Sequence, residues 1–212
     1  MFMARRTALA LGAALTLGLT ALAPAASANP EVGKPAPAFK AVDSKGNTVS
    51  LSDLRGKTVV LEWTNNECPY VVKHYGSGNM QKLQTEASKD GVVWLSVISS
   101  APGKQGHVSG AEADALTRSR KAAPAHVLLD EKGEIGKQYA ARTTPHMFVI
   151  NPEGTLVYMG GIDNRPTADK ADIEGATNYV RLALQSVKNG QPVATPVARA
   201  YGCSIKYSSE GA

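Results

Sequence analysis

Two kinds of hydrophobic spacing run through the chain. Residues 58–64 and 92–98 are apolar without alternation, the pattern of strands buried on both faces, and 126–129 and 146–150 are shorter strands of the same kind. Between them, apolar residues recur at helical spacing. A helix over 69–75 follows the polar turn Thr64-Asn65-Asn66-Glu67 and is interrupted at Gly76-Ser77-Gly78. Asn79 caps a second piece carrying Met80, Leu83 and Ala87. Ser109 and Glu112 make a capping box for a helix to Lys121, and 131–142 is a short helix. A long amphipathic helix is predicted from about Asp172, with Ile173, Ala176, Val180, Leu184 and Val187 on one face and Gly190 as its stop.

Turn chemistry supplies the rest. Pro30, Pro35 and Pro37 make 29–38 an extended lead-in. Asp43-Ser44-Lys45-Gly46 centres a hairpin over 39–51, residues 52–56 are a helical turn or a loop, and 100–109 is a loop. Asn151-Pro152-Glu153-Gly154 joins 147–150 to 156–159 as an antiparallel pair. Strands alternate with helices before a closing hairpin and helix, which predicts an α/β domain over 29–190 with a mixed central sheet covered by helices on both faces. Residues 191–212 read as a C-terminal arm lying over that domain.

The first 28 residues stand apart. A basic start, an apolar run over 7–23 and the small-x-small Ala26-Ser27-Ala28 read as a signal peptide cut after Ala28, which makes the chain periplasmic or secreted. The run falls short of the roughly 20 residues a membrane anchor needs. Removing it leaves 21 basic against 18 acidic residues, scattered along the chain, which argues against nucleic acid or an anionic membrane as partner. The remaining length fills one domain.

The chemistry centres on two cysteines. Cys68 precedes Pro69 at a helix start, where unpaired N–H groups and the dipole favour a thiolate. Glu67 opposes that shift, while Lys73 and His74, one to two turns on, favour it. In an exported chain Cys203 is the one intramolecular partner for Cys68, either as a resolving thiol or as a staple for the arm. Glu62, in an otherwise apolar strand, is a buried proton carrier or an edge carboxylate paired with lysine. Asn65 and Asn66 serve either a peroxide oxygen or the turn itself. His74, His107, His126 and His146 lack the compact spacing of a metal site.

The pieces Val32-Gly33-Lys34-Pro35-Ala36-Pro37-Ala38-Phe39, Leu51-Ser52-Asp53-Leu54-Arg55-Gly56-Lys57, Glu67-Cys68-Pro69 and Thr144-Pro145 together resemble the thioredoxin-fold redoxin, or alkyl hydroperoxide reductase/thiol-specific antioxidant (peroxiredoxin-like), family. The ending Tyr201-Gly202-Cys203-Ser204-Ile205-Lys206 is similar to that of a peroxiredoxin-like subgroup. The resemblance implies a thioredoxin-like fold and a catalytic Cys68 that attacks a peroxide or a disulfide. It further implies Cys203 as the resolving cysteine, a Cys68–Cys203 disulfide, an external thiol reductant and no cofactor. Glu62 matches a buried acid in place. Pro145 is the expected cis-proline, and Thr144, Pro145, Asn65, Asn66 and Pro69 are the expected substrate-binding residues. The departures are Val71 where thioredoxins carry a second cysteine, Asn65 and Leu61 where peroxiredoxins carry a hydroxyl and a proline, and His146 with Arg142 near the place of an arginine. Peroxide reduction is the primary expectation, and thiol–disulfide exchange without it the alternative. A disulfide-stapled binding or copper-carrying module is the third.

Overall fold

The five residues of strand β3 (Val59–Trp63) are all buried. Alternation sends Val59, Leu61 and Trp63 to one face of a sheet and Val60 and Glu62 to the other. The structure, a computed structural model, describes residues 29–208; the predicted leader, 1–28, and the last four residues of the arm lie outside the described residues. Strand β4 (Val93–Ile98) runs parallel to β3 on one side, and β7 (His146–Ile150) antiparallel on the other. With β1 (Lys40–Asp43), β2 (Thr48–Ser50), β5 (His126–Leu129) and β8 (Leu156–Gly160) they form a seven-stranded mixed sheet in the order β2-β1-β5-β4-β3-β7-β8. Central strands covered on both sides explain the unbroken apolar runs.

Helices α1 (Pro69–Gly76), α2 (Asn79–Lys89) and α5 (Tyr179–Lys188) cover the face that carries Val60, Trp94, Met147 and Val149. Helix α3 (Gly110–Ser119) packs Ala113 with Ile98 and Val127, and its N-terminus has both halves of the Ser109–Glu112 capping box. On the other face, Trp63, Leu95 and Phe148 meet Ile135 of α4 (Glu134–Gln138), Tyr139 and, from the arm, Ile205. Two short strands, β6 (Thr143–Thr144) and β9 (Cys203–Ser204), pair antiparallel outside the main sheet. Among the described residues no helix is long and apolar enough to cross a membrane.

Three predicted elements change. The long helix from Asp172 becomes a 3-10 turn over Lys170–Ile173 and a separate α5 capped by the Asn178 side chain, which accepts from Arg181 N–H. Gly175 at φ +75° breaks the run, and Thr177 is held instead by Asn164, whose side-chain carbonyl takes its N–H at 2.9 Å. The helix over 131–142 shrinks to α4, because the Asp130 carboxylate takes the Ile135 and Gly136 N–H groups and Ala140 turns left-handed at φ 47°. Asn79 is the first residue of α2 rather than its cap, and its amide is spent on the His74 ring.

Candidate active site

The turn after β3 fixes Cys68. Asn65 is buried, and its side-chain oxygen accepts the Glu67 N–H at 2.9 Å while its carbonyl accepts the Cys68 N–H at 3.2 Å. Its amide nitrogen donates to Gln105 O at 3.4 Å, and Gly106 leaves the room this requires, since a Cβ there would lie 2.4 Å from Asn65. Both polar atoms of the Asn65 side chain are therefore engaged, one in the turn and one with the 100–109 loop. Asn66 sits half-buried against Thr64 and Tyr75, on the rim of a small cavity of about 30 Å³. Cys68 is the extended N-cap of α1 at φ −74°, ψ 121°, and Pro69 is the first helical residue.

Opposite the sulfur stands the segment before β7. The Thr144–Pro145 peptide is cis, and the Cys68 S–H donates to Thr144 O at 3.0 Å. Cys203 pairs with Thr144 across the β6–β9 ladder, and its thiol is hydrogen-bonded to Cys68. Both cysteines are free thiols. The approach needs glycine at 202, where φ is 134° and a Cβ would lie 2.0 Å from Thr144 O. Cys68 is wholly buried, and Cys203 is partly buried above it.

The two thiols are driven apart in acidity. Burial pushes Cys68 up, but the neighbouring Cys203 thiol, the nearby Thr144 side chain and the Val71 and Cys203 N–H groups hold it below its ordinary value. Cys203 is pushed up to about 11 by burial and by the Cys68 sulfur, against a smaller pull from Lys206. The Thr144 hydroxyl is buried without a hydrogen-bond partner, which leaves it free to donate to a thiolate.

Lys73 and His74 do not act on the sulfur as expected. Both are completely buried, and Lys73 Nζ donates to Arg165 O at 2.8 Å. Burial pushes His74 down to about 4, Lys73 lowering it further and Asp163 raising it, so the ring is neutral near pH 7 and brings no positive charge to Cys68. Its Nδ1 accepts from the Asn79 amide at 2.9 Å, which leaves Nε2–H to donate to the Tyr201 hydroxyl at 3.2 Å. Tyr201 in turn donates to Asp163 at 2.5 Å. Tyr201 and Asp163 carried no chemical signal in the sequence; Tyr201 stood out there only as part of the tail motif.

Glu62 is fully buried and, among the described residues, pairs with no lysine. It accepts from Tyr75 at 2.8 Å, Trp94 at 2.8 Å, Ser96 at 3.1 Å and Gln84 at 3.2 Å. Burial raises its pKa despite those donors. The structure joins it to neither sulfur by a hydrogen bond. His146, buried and stacked on Phe148 at 4.5 Å, is pushed down to about 4 by burial and by Arg142, whose exposed side chain lines a separate cavity of about 450 Å³ with Phe148, Met159 and Arg199. Among the described residues no three His, Cys, Asp or Glu side chains are grouped to hold a metal ion.

The Redoxin family model matches residues 31–177. An uncharacterized conserved protein from Geobacillus kaustophilus is 25% identical with a TM-score of 0.74, over 85% of this chain and 94% of that one. A hypothetical protein from Sinorhizobium meliloti is 23% identical with a TM-score of 0.72, over 86% and 97%. A protein from Chlorobium tepidum, provisionally assigned as the thiol:disulfide interchange protein DsbE, is 24% identical with a TM-score of 0.51, over 74% and 99%. Comparison with curated proteins finds no match. With the cysteine at a helix start, the cis-proline opposite it and the mixed sheet beneath both, the chain belongs to the Redoxin family of thioredoxin-fold, thiol-dependent oxidoreductases.

Proposed function

We propose that the protein is a thiol–disulfide oxidoreductase in which Cys68 attacks and Cys203 completes the exchange. The observation that carries this reading is the contact between the two thiols beside Thr144, with acidities shifted in opposite directions. The Cys68 thiolate attacks one sulfur of a substrate disulfide. The substrate S–S bond breaks, a mixed disulfide forms, and the second substrate sulfur leaves as a thiolate. Cys203 keeps its proton while Cys68 is charged. Once Cys68 is bonded, its negative charge is gone and one cause of the high Cys203 pKa goes with it. Cys203 then loses its proton to the departing thiolate and attacks Cys68, giving the Cys68–Cys203 disulfide and a substrate reduced by two electrons. An external dithiol resets the pair. Thr144 and Pro145 border the substrate sulfur, Pro69 shapes the helix start, and Glu62, fully buried with a raised pKa, is a proton carrier only if a water chain links it to the sulfurs. With residues 1–28 read as a cleavable leader, the reaction would take place outside the cytoplasm, and N-terminal sequencing of the processed protein is expected to begin at Asn29.

Peroxide reduction is the second reading, favoured by the unpartnered Thr144 hydroxyl beside a sulfur that only a small oxidant would reach with the arm in place. The test is to mix reduced protein separately with a small aromatic disulfide and with hydrogen peroxide and to follow both thiols. The first reading expects rapid conversion by the disulfide to intramolecularly bonded protein, and a trapped mixed disulfide in Cys203→Ser. Rapid reaction with peroxide alone, trapping a sulfenic acid in that variant, transfers the assignment to the second.

A further inference from the structure

We propose that Tyr201 is a positioning residue whose hydroxyl, seated in a buried polar socket, holds Cys203 against Cys68. The socket is made by groups the exchange chemistry does not use. His74 and Lys73 project from α1, and Asp163 follows β8; none of the three is more than 3% exposed. A hydrogen-bond chain runs from the Asn79 amide through His74 and the Tyr201 hydroxyl to Asp163. Lys73 Nζ lies 5.7 Å from the centre of the Tyr201 ring, and Tyr70 packs against that ring edge-on at 5.9 Å.

Polar groups buried this deeply are costly without partners. The arm supplies them: with Tyr201 withdrawn, His74 Nε2 loses its acceptor and Asp163 loses a donor. Gly202 and Cys203 follow directly, so the hydroxyl fixes where the chain enters the β6–β9 ladder and how closely the thiols meet. The same anchoring keeps Cys68 covered. Two properties of the pair thus depend on one hydroxyl: the effective concentration of Cys203 at Cys68, and the access of bulky reagents to Cys68.

This inference rests on the cycling pair for its role, but its test does not need a substrate. In the full processed chain, the dithiol–disulfide equilibrium is measured against dithiothreitol, and the rate at which a bulky maleimide labels Cys68 is measured in the reduced state. Tyr201→Phe keeps the ring and removes the hydroxyl. It is expected to weaken the intramolecular disulfide about tenfold and to speed labelling by a similar factor. Tyr139→Phe, which removes a hydroxyl bonded to Pro37 O at 2.7 Å away from the socket, is expected to change neither. Should Tyr201→Phe fail to fold, Asp163→Asn turns the charge-assisted bond into a neutral one and is expected to shift both readouts the same way. Wild-type values in both socket variants, or equal shifts in Tyr139→Phe, overturn the inference. If the wild-type disulfide does not form at all, the cycling reading fails instead, and the labelling rate alone decides whether Tyr201 holds the arm.

Discussion

Cys203 stands in register with Thr144, and the same Thr144 presents its carbonyl to the Cys68 S–H at 3.0 Å. One residue thus meets both cysteines, the Cys203 backbone through the ladder and the Cys68 sulfur through its carbonyl. The arrangement makes the acidity of Cys68 a property of the docked arm as well as of the helix start.

Removing the Cys203 sulfur should therefore raise the Cys68 pKa. In Cys203→Ala the rate of alkylation by iodoacetamide, followed against pH, is expected to inflect at a higher pH than in wild type, because the largest of the stabilising hydrogen bonds is lost. An unchanged inflection would assign the shift to the helix alone.

Thr144→Val tests the unpartnered hydroxyl. Valine keeps the shape and removes a buried polar atom without a partner, so the reduced protein is expected to gain about 1 kcal/mol in urea unfolding. The thiolate loses a donor, so the Cys68 inflection should move upward at the same time. Stability and reactivity are expected to part company in this variant.

Glu62 separates by substitution. Glu62→Gln keeps an acceptor oxygen for Trp94, Ser96 and Gln84 and removes the cost of a buried charge. Its raised pKa means that the folded state binds the proton more tightly, so wild-type stability falls as pH rises from about 4.5 through the folded value. The variant is expected to gain on wild type over that rise. Glu62→Ala strands four donors and is expected to lose several kcal/mol at any pH.

His146 provides a pH signature of opposite sign. Its folded pKa, about 4, lies below the ordinary 6.5, so the unfolded chain binds more protons between those values. The contribution is complete above pH 6.5 and is lost as pH falls toward 4, by about 3 kcal/mol at most. His146→Asn keeps an acceptor for the Arg142 N–H and removes the titration. The wild-type advantage over the variant, from thermal unfolding at stepped pH, should shrink through that window.

The legible parts of this chain were those written in local pattern. Unbroken apolar runs gave β3 and β4, Ser109 with Glu112 gave a cap, and Cys68-Pro69 gave the helix start on which the proposed exchange rests. The misread parts depend on distant partners. Nothing local in Gly175 to Asn178 says that Asn164 will claim that backbone, whereas Asn65 serves the turn, one of the two roles read for it. Lys73 and His74 read as positive neighbours of a thiolate because spacing reports the turn of a helix and not its burial. The contacts of Tyr201 were hidden for the same reason: it was read only as part of the tail motif, and a socket assembled from α1 and the loop after β8 has no signature at residue 201.

The outer rim of β8 is finished by segments that are not strands. Gly33 and Lys34 bond to Leu156 from the lead-in, at 2.8 and 2.9 Å, and Pro196 and Ala198 bond to Met159 from the arm, at 3.0 and 3.1 Å. Freeing the arm strips half of that border and leaves amide and carbonyl groups facing water beside an apolar strand, the condition under which chains join side by side. A chain truncated before Pro192 should thus self-associate at concentrations where the intact protein stays dispersed, with light scattering as the gauge. The tail that serves the sulfur would also be what keeps one molecule from adhering to the next.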